Sequence, residues 1–184
     1  MNTGAISMRY AKALLLFANE GGVGKQVYQE ALTLRKSFRD VPALRHAMEK
    51  PVMTREAKQR ILEQASGGTI SVQMQKFIAL VLKEKREKFL MYINQSFIDL
   101  YRKQEKIRVG KLTTAVPIAP EEVERIRRMV VDSAGGTAEF STKVDPSIEG
   151  GFIFEINTYR LNASVADQMR RIKQQFIEKN RRIV

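Results

Sequence analysis

The feature that most constrains this chain is a change of hydrophobic period near Lys106. For about a hundred residues before it, apolar side chains recur every three or four positions, the spacing of helix faces. After it, β-branched residues and partial alternation take over, the spacing of strands. The switch predicts a helical bundle over residues 1–105 and a smaller α+β domain over residues 106–184. The expected fold class is mainly α, an N-terminal six-helix bundle followed by the smaller α+β C-terminal domain. With 184 residues, 43% of them hydrophobic, the chain has enough apolar material for both.

Punctuation places the helices. Ile6, Tyr10, Ala13, Leu14 and Phe17 share a helical face that ends at Gly21-Gly22. A second helix is predicted from about Val23 to Phe38 and a short third from Pro42 to Glu49, before Pro51 interrupts. Thr54 and Ser71 are placed to cap a fourth and a fifth helix, with Gly67-Gly68 between them. The sixth, roughly Arg86 to Glu105, aligns Phe89, Ile93, Phe97 and Leu100.

Beyond the switch, Lys106–Ile118 reads as a strand. Pro120 followed by Glu121 and Glu122 opens a helix that carries Val123, Ile126 and Val130 inward and stops at Gly135-Gly136. Strands are predicted around Ala138–Val144 and Gly151–Ile156, then a short extended piece, YRLNA. Ser164 with Asp167 three residues on forms a capping-box pattern for the last helix, whose apolar face is Val165, Met169, Ile172 and Phe176.

Charge narrows the partners. Lys and Arg number 32 against 20 Asp and Glu, a formal charge of +12, and Val165–Val184 holds six basic residues against two acidic. Such a balance favours acidic partners without choosing among nucleic acid, anionic membrane and protein. There is no cysteine, which excludes disulfides, thiolate metal sites and cysteine nucleophiles. No apolar run approaches the ~20 residues of a membrane span. The first twenty residues lack a secretion or transit pattern and read as a helix retained in the mature protein.

Catalytic material is thin. His46 is the one histidine and reads as a surface or half-buried residue. Glu87 near Asp99, and Glu121 with Glu122, read as solvated ion-pair partners rather than an acid/base pair. Glu20–Gln26, EGGVGKQ, has the wrong glycine spacing for a phosphate loop, and Gln26 stands where a Ser or Thr belongs. A helix–helix turn is the better reading there. No catalytic, cofactor-binding or metal residue is assigned, and the chain reads as a non-enzyme.

Two surfaces stand out instead. The fifth helix is apolar almost all round its second half, from Phe77 to Leu82, so it is either central in the bundle or shares a face with a partner. The last helix combines an apolar stripe with Arg170, Arg171, Lys173, Lys179, Arg181 and Arg182, either a solvated basic face or a docking surface.

The segment VDPSIEGGFIFEI carries the most specific information. A phosphate cradle wants glycines after a strand and before a helix, whereas Gly150 and Gly151 precede a strand-like run. They read as a turn or a close backbone crossing, with Asp145-Pro146 as part of the turn. This segment, followed by YRLNASVADQMRRI, resembles the delta subunit family of F-type ATP synthases, whose mitochondrial counterpart is the oligomycin-sensitivity-conferring protein. RYAKALLLFA, PVMTREAKQRIL and VGKLTTAVPI agree with the family in the same order, so the resemblance spans almost the whole chain. Asn162 departs from it, standing where the family usually has Asp; either residue can accept a local hydrogen bond.

The resemblance implies a non-catalytic stator subunit that joins the catalytic head to the peripheral stalk, so that rotation is coupled to ATP synthesis. The implied partners are the alpha and beta subunits and the stalk b subunits, with no cofactor, no nucleic acid and no membrane insertion. By analogy, Tyr10, Ala13, Leu14 and Phe17, with Phe77, Ile78 and Val81, belong to a groove for an alpha-subunit N-terminal helix. An aspartate at Phe77 is expected to weaken that contact and leave the fold intact. Arg170, Arg171 and Lys173 are candidates for the stalk contact, and Asp145, Gly150, Gly151, Phe152 and Glu155 form the structural signature. The missing transit pattern fits a bacterial chain, which would lie on the cytoplasmic face of the inner membrane, or an organelle-encoded one. The competing reading is a basic nucleic-acid-binding adaptor, resting on the +12 charge. Against it, no nucleic-acid motif is present and the aromatics sit at core spacing.

Overall fold

The computed structural model describes residues 3–49, 53–134, 137–156 and 159–181, and divides between Gln104 and Glu105 into two compact units. The Pro51 break, the Gly135-Gly136 stop and Arg182 lie outside the described residues, as do the side chains of Val130, Lys179 and Arg181.

The first unit holds α1 (Thr3–Glu20), α2 (Gly24–Asp40), α3 (Pro42–Glu49), α4 (Arg55–Ala65), α5 (Val72–Lys83) and α6 (Leu90–Gln104). Local chemistry sets their ends. Gly22 takes a left-handed φ of 66°, and the N–H of Val23 returns to the Ala18 carbonyl at 3.0 Å, so the glycine pair is a helix–helix turn. Thr54 Oγ1 accepts from the Ala57 N–H at 3.2 Å, and Ser71 Oγ from the Met74 N–H at 3.2 Å, so both expected caps form.

The last helix of this unit starts later than the spacing predicts. Lys85 takes a left-handed φ of 53°, and a short 3₁₀ turn, Glu87–Phe89, precedes α6. That turn is anchored from α4: Lys58 Nζ donates to Glu87 Oε1 and to the Met48 carbonyl, each at 2.8 Å. Glu87 is therefore the partner of a buried lysine rather than a solvated group. Burial pushes its carboxyl upward, but the Lys58 hydrogen bond and nearby positive charge outweigh burial and hold it below the ordinary carboxylate range.

Leu14, Leu34, Met74, Ile78, Ile93 and Phe97 fill the core of this unit. Tyr28 stacks on Tyr101 with ring centroids 4.5 Å apart, and Arg102 Nε donates to the Tyr28 hydroxyl at 2.8 Å. Buried Asn94 spends its amide on the Ala31 carbonyl at 2.9 Å, which ties α6 to α2.

The second unit holds β1 (Ile107–Thr114), α7 (Pro120–Ala134), β2 (Thr137–Val144), β3 (Gly151–Ile156), β4 (Tyr159–Ser164) and α8 (Val165–Arg181). The sheet order is β2-β1-β3-β4. β1 and β2 are parallel with α7 as their crossover, and the other two pairings are antiparallel. The predicted first strand is cut short because Thr114 Oγ1 donates to the Val116 carbonyl at 2.7 Å and bends the chain. The extended piece YRLNA is the body of a full strand, β4, paired with β3.

Register puts Leu112, Phe140, Phe154 and Leu161 on one face of this sheet, and Lys111, Glu155 and Arg160 on the other. Gly110 lies beneath the Phe140 ring, where a Cβ would collide with it, and the ring reaches Phe154 at 5.5 Å between centroids. Gly151, at φ 70°, sits against the Ala163 carbonyl oxygen at the start of the β3–β4 pairing. The glycine pair is thus a close backbone crossing. Gly151→Ala is expected to destabilise the α+β unit by about 1–3 kcal/mol through φ strain and that collision. Urea unfolding of the full chain followed by NMR would show the loss confined to residues after Glu105; an unchanged midpoint there would refute the account.

Candidate docking surfaces

The α1 side of the expected groove separates into two rows. Ser7, Ala11, Leu14 and Ala18 are buried and face the core. Ile6, Tyr10, Ala13 and Phe17, offset by about a quarter turn, form a second row that the core does not cover; Phe17 is 37% exposed. α5 meets the end of α1, where Gly21 lies against Gln73 in the first turn of α5. On α5, Ile78 and Val81 are wholly buried at 0% and Phe77 is 6% exposed, whereas Leu80 is 45% exposed.

Of the seven residues grouped by analogy, Leu14, Ile78 and Val81 serve the core. Tyr10, Ala13 and Phe17 remain available, and Phe77 is buried with the core. Leu80 was missed by the sequence reading. Its signal was present, since it follows Phe77 by one helical step of three on a helix apolar almost all round its second half. An aspartate at Phe77 would bury a charge, so the expectation that this change leaves the fold intact gives way; Phe17 and Leu80 are the surface probes.

The second surface is α8. Its stripe exists, but Val165, Met169, Ile172, Phe176 and Ile177 all stay exposed, Met169 at 59% and Phe176 at 63%. Its start is held: Ser164 Oγ accepts from the Asp167 N–H at 3.3 Å, and the Val165 N–H reaches the Gly150 carbonyl at 3.0 Å. Asp167 spends its carboxylate on Arg171 at 2.9 Å and Arg170 at 3.7 Å. Lys173 is exposed on the same helix. Asn162 Oδ1 accepts from the N–H and hydroxyl of Ser164 at 3.1 and 2.7 Å, so the asparagine does make a local hydrogen bond.

The signature segment joins these elements. Asp145 accepts from the Ser147 hydroxyl at 2.6 Å and from Lys143 at 2.9 Å, and its N–H donates to the Thr114 carbonyl at 2.8 Å. Glu155 pairs with Arg160 at 3.3 Å and lies 4.0 Å from Lys111 across the sheet. Beside the turn, Leu112, Val116, Ile118, Ile126 and Phe152 line an apolar cleft between the sheet and α7, with Gly150 and Gly151 at its edge.

His46 is exposed on α3, and among the described residues no three His, Cys, Asp or Glu side chains approach closely enough to hold a metal ion. None of the described helices is long and apolar enough to cross a membrane. A helical unit followed by a small mixed-sheet unit, each displaying an uncovered apolar stripe, offers two candidate docking surfaces.

Comparison with known proteins identifies the family. The family description "ATP synthase delta (OSCP) subunit" matches residues 6–176. "ATP synthase subunit delta" of Phocaeicola vulgatus is 57% identical over the full length of both chains, and that of Bacteroides thetaiotaomicron is 48% identical over the full length of both. A chain in the cryo-EM structure of the Toxoplasma gondii mitochondrial ATP synthase hexamer shares the fold, with a TM-score of 0.65 over 93% of this chain and 97% of that one, at 21% identity. The chain belongs to the ATP synthase delta (OSCP) subunit family.

Hydrogen bonds from Ser147 and Lys143 hold the Asp145 carboxyl down at about 2. A depressed carboxyl stabilises the fold above its unfolded pKa, and that stability is lost as pH falls toward 2. Between about pH 4 and 2, Asp145→Asn should therefore lose less stability than the parent chain. Urea midpoints at the two ends of that window measure it, and parallel pH dependence in both proteins would contradict the assignment.

Proposed function

We propose that this chain, a delta-family stator component of an F-type ATP synthase, acts as a clamp with two separate grips. The first unit, read as a six-helix bundle, takes the N-terminal helix of an alpha subunit along the row of Tyr10, Ala13 and Phe17 on α1 and Leu80 on α5. The second takes the end of the b-subunit stalk on the apolar stripe of α8, with Arg170, Arg171 and Lys173 steering it. The clamp stops the alpha/beta head from turning with the rotor and does no chemistry itself. The implied place is the cytoplasmic face of a bacterial inner membrane, held there through its partners.

The observation that carries this reading is the apolar row on α1 that the core leaves uncovered, together with exposed Leu80 on α5, the helix whose first turn meets the end of α1. A helix with anchors at every third or fourth position fits such a groove. Nanomolar binding corresponds to about −12 kcal/mol, within reach of a well-packed contact of this kind. Covalent linkage of two such grips raises the effective concentration of each for its own site.

Phe17→Asp should weaken binding of a peptide from the alpha-subunit N-terminus by about thirtyfold, a loss of roughly 2 kcal/mol, with an unchanged circular dichroism spectrum. Ile172→Asp should leave that peptide's affinity alone and abolish recovery of b subunits in a pull-down from nuclease-treated, solubilised membranes. Calorimetry and mass spectrometry read the two results. Equal binding by Phe17→Asp would remove the groove. Recovery of no head or stalk subunit by the parent chain, with binding seen only to added nucleic acid at low salt, would replace the whole reading.

A further inference from the structure

One buried carboxylate in the helical unit has no place in the docking surfaces and no solvent to satisfy it. Glu30 lies on α2 and is 7% exposed. Its two oxygens are divided at the start of α5: Oε1 accepts from the Ser71 N–H and Oε2 from the Ser71 hydroxyl, each at 2.7 Å. Gln26, one turn earlier on α2, donates to Oε1 at 3.0 Å. Ser71 is the N-cap of α5, and its Oγ accepts from the Met74 N–H.

We infer that Glu30 is a positioning residue for the partner groove, acting through Ser71 to fix where α5 stands beside α1. The hydroxyl proton of Ser71 is committed to Glu30, so its lone pairs are turned toward the first turn of α5, and the cap has one orientation. The carboxylate also lies beside the positive end of the helix, where its charge is favoured. Hydrogen bonds to a buried charge are short and directional, and they hold position better than apolar contact.

The consequence reaches the groove in two residues. Gln73, in the same first turn, is the α5 residue that lies against Gly21 at the end of α1. Leu80, two turns further along, is carried on the same rigid rod. A small shift or rotation of the α5 start therefore changes the separation between Leu80 and the Phe17 row. The link to α2, rather than to α1, keeps that separation independent of the groove's occupant.

The inference rests on the alpha-subunit helix being the groove's occupant, and the experiment separates the two claims. The probe is the alpha-subunit N-terminal peptide, titrated into the full chain by calorimetry well below the melting temperature. Glu30→Gln keeps size and one acceptor but loses the charge and the bond accepted from the Ser71 hydroxyl, one of three, and should weaken the peptide about tenfold. Ser71→Asp alone sets two carboxylates together and should weaken it further. In the double variant the new amide on α2 can donate to the new carboxylate, which caps α5 itself, and affinity should recover to within about threefold of the parent. Hydrogen exchange over Val72–Gln75 should rise in the single variants and fall back in the double. Peptide affinity that stays at the parent value while exchange rises would overturn the positioning role and leave Glu30 purely structural. A parent chain that fails to bind the peptide at all would overturn the docking reading and this inference with it.

Discussion

The close packing of α1 on α6 governs most of what the helical unit can do. α1 meets the core through Ser7, Ala11, Leu14 and Ala18, three of them small, so its backbone can approach its neighbours closely. At the far end Asn19 and Gln104 exchange an amide hydrogen bond at 3.0 Å, which keeps the two helices level. A helix set down on its small residues must carry its large apolar ones elsewhere. Ile6, Tyr10 and Phe17 are what that choice leaves over, and the uncovered row follows from the packing rather than from any failure of it.

α5 solves the complementary problem. Met74, Ile78, Val81 and Leu82 give it a wide buried face, yet Val72 and Leu80 are left outside it. A helix apolar on that much of its circumference needs some other agent to fix its rotation, because hydrophobic burial is non-directional. Polar contacts can supply the direction. Ser71 and Glu30 do so at one end, and the Lys58–Glu87 pair holds the turn that follows the other. Buried ion pairs contribute little net stability but are costly to break, which suits them to fixing geometry.

Period, stops and caps were legible in the residues themselves. The change of pattern near Lys106, the Gly21-Gly22 turn, and Thr54 and Ser71 as caps follow from spacing and local hydrogen bonding, both short-range effects. The direction of a face was not legible. Leu14 and Phe17 look equivalent on a hydrophobic stripe, but the buried side is decided by Ala11 and Ala18, which add little to hydrophobicity and much to close approach. For the same reason Ile78 and Val81 could not be told from Leu80. Glu87 read as solvated because its lysine is 29 residues away. Lys85 and Lys106 take left-handed backbone angles that glycine would have announced. On the strand side, the glycine pair read as a turn or a close crossing, and Gly151 makes the crossing against its β3–β4 neighbour.

The two kinds of exposed group divide a clamp's work between them. Apolar stripes such as Phe17 with Leu80, or Met169 with Phe176, lose contact only when water enters, so they set the rate of leaving. Cations such as Lys173, and the basic excess as a whole, act across solvent and are screened by salt within about 10 Å, so they set the rate and direction of arrival. A part that must hold under torque gains little from faster arrival and much from slower departure. On that ground the proposed clamp relies on the apolar rows rather than on the +12 charge, and neutralising α8 cations should cost far less grip than opening its apolar stripe.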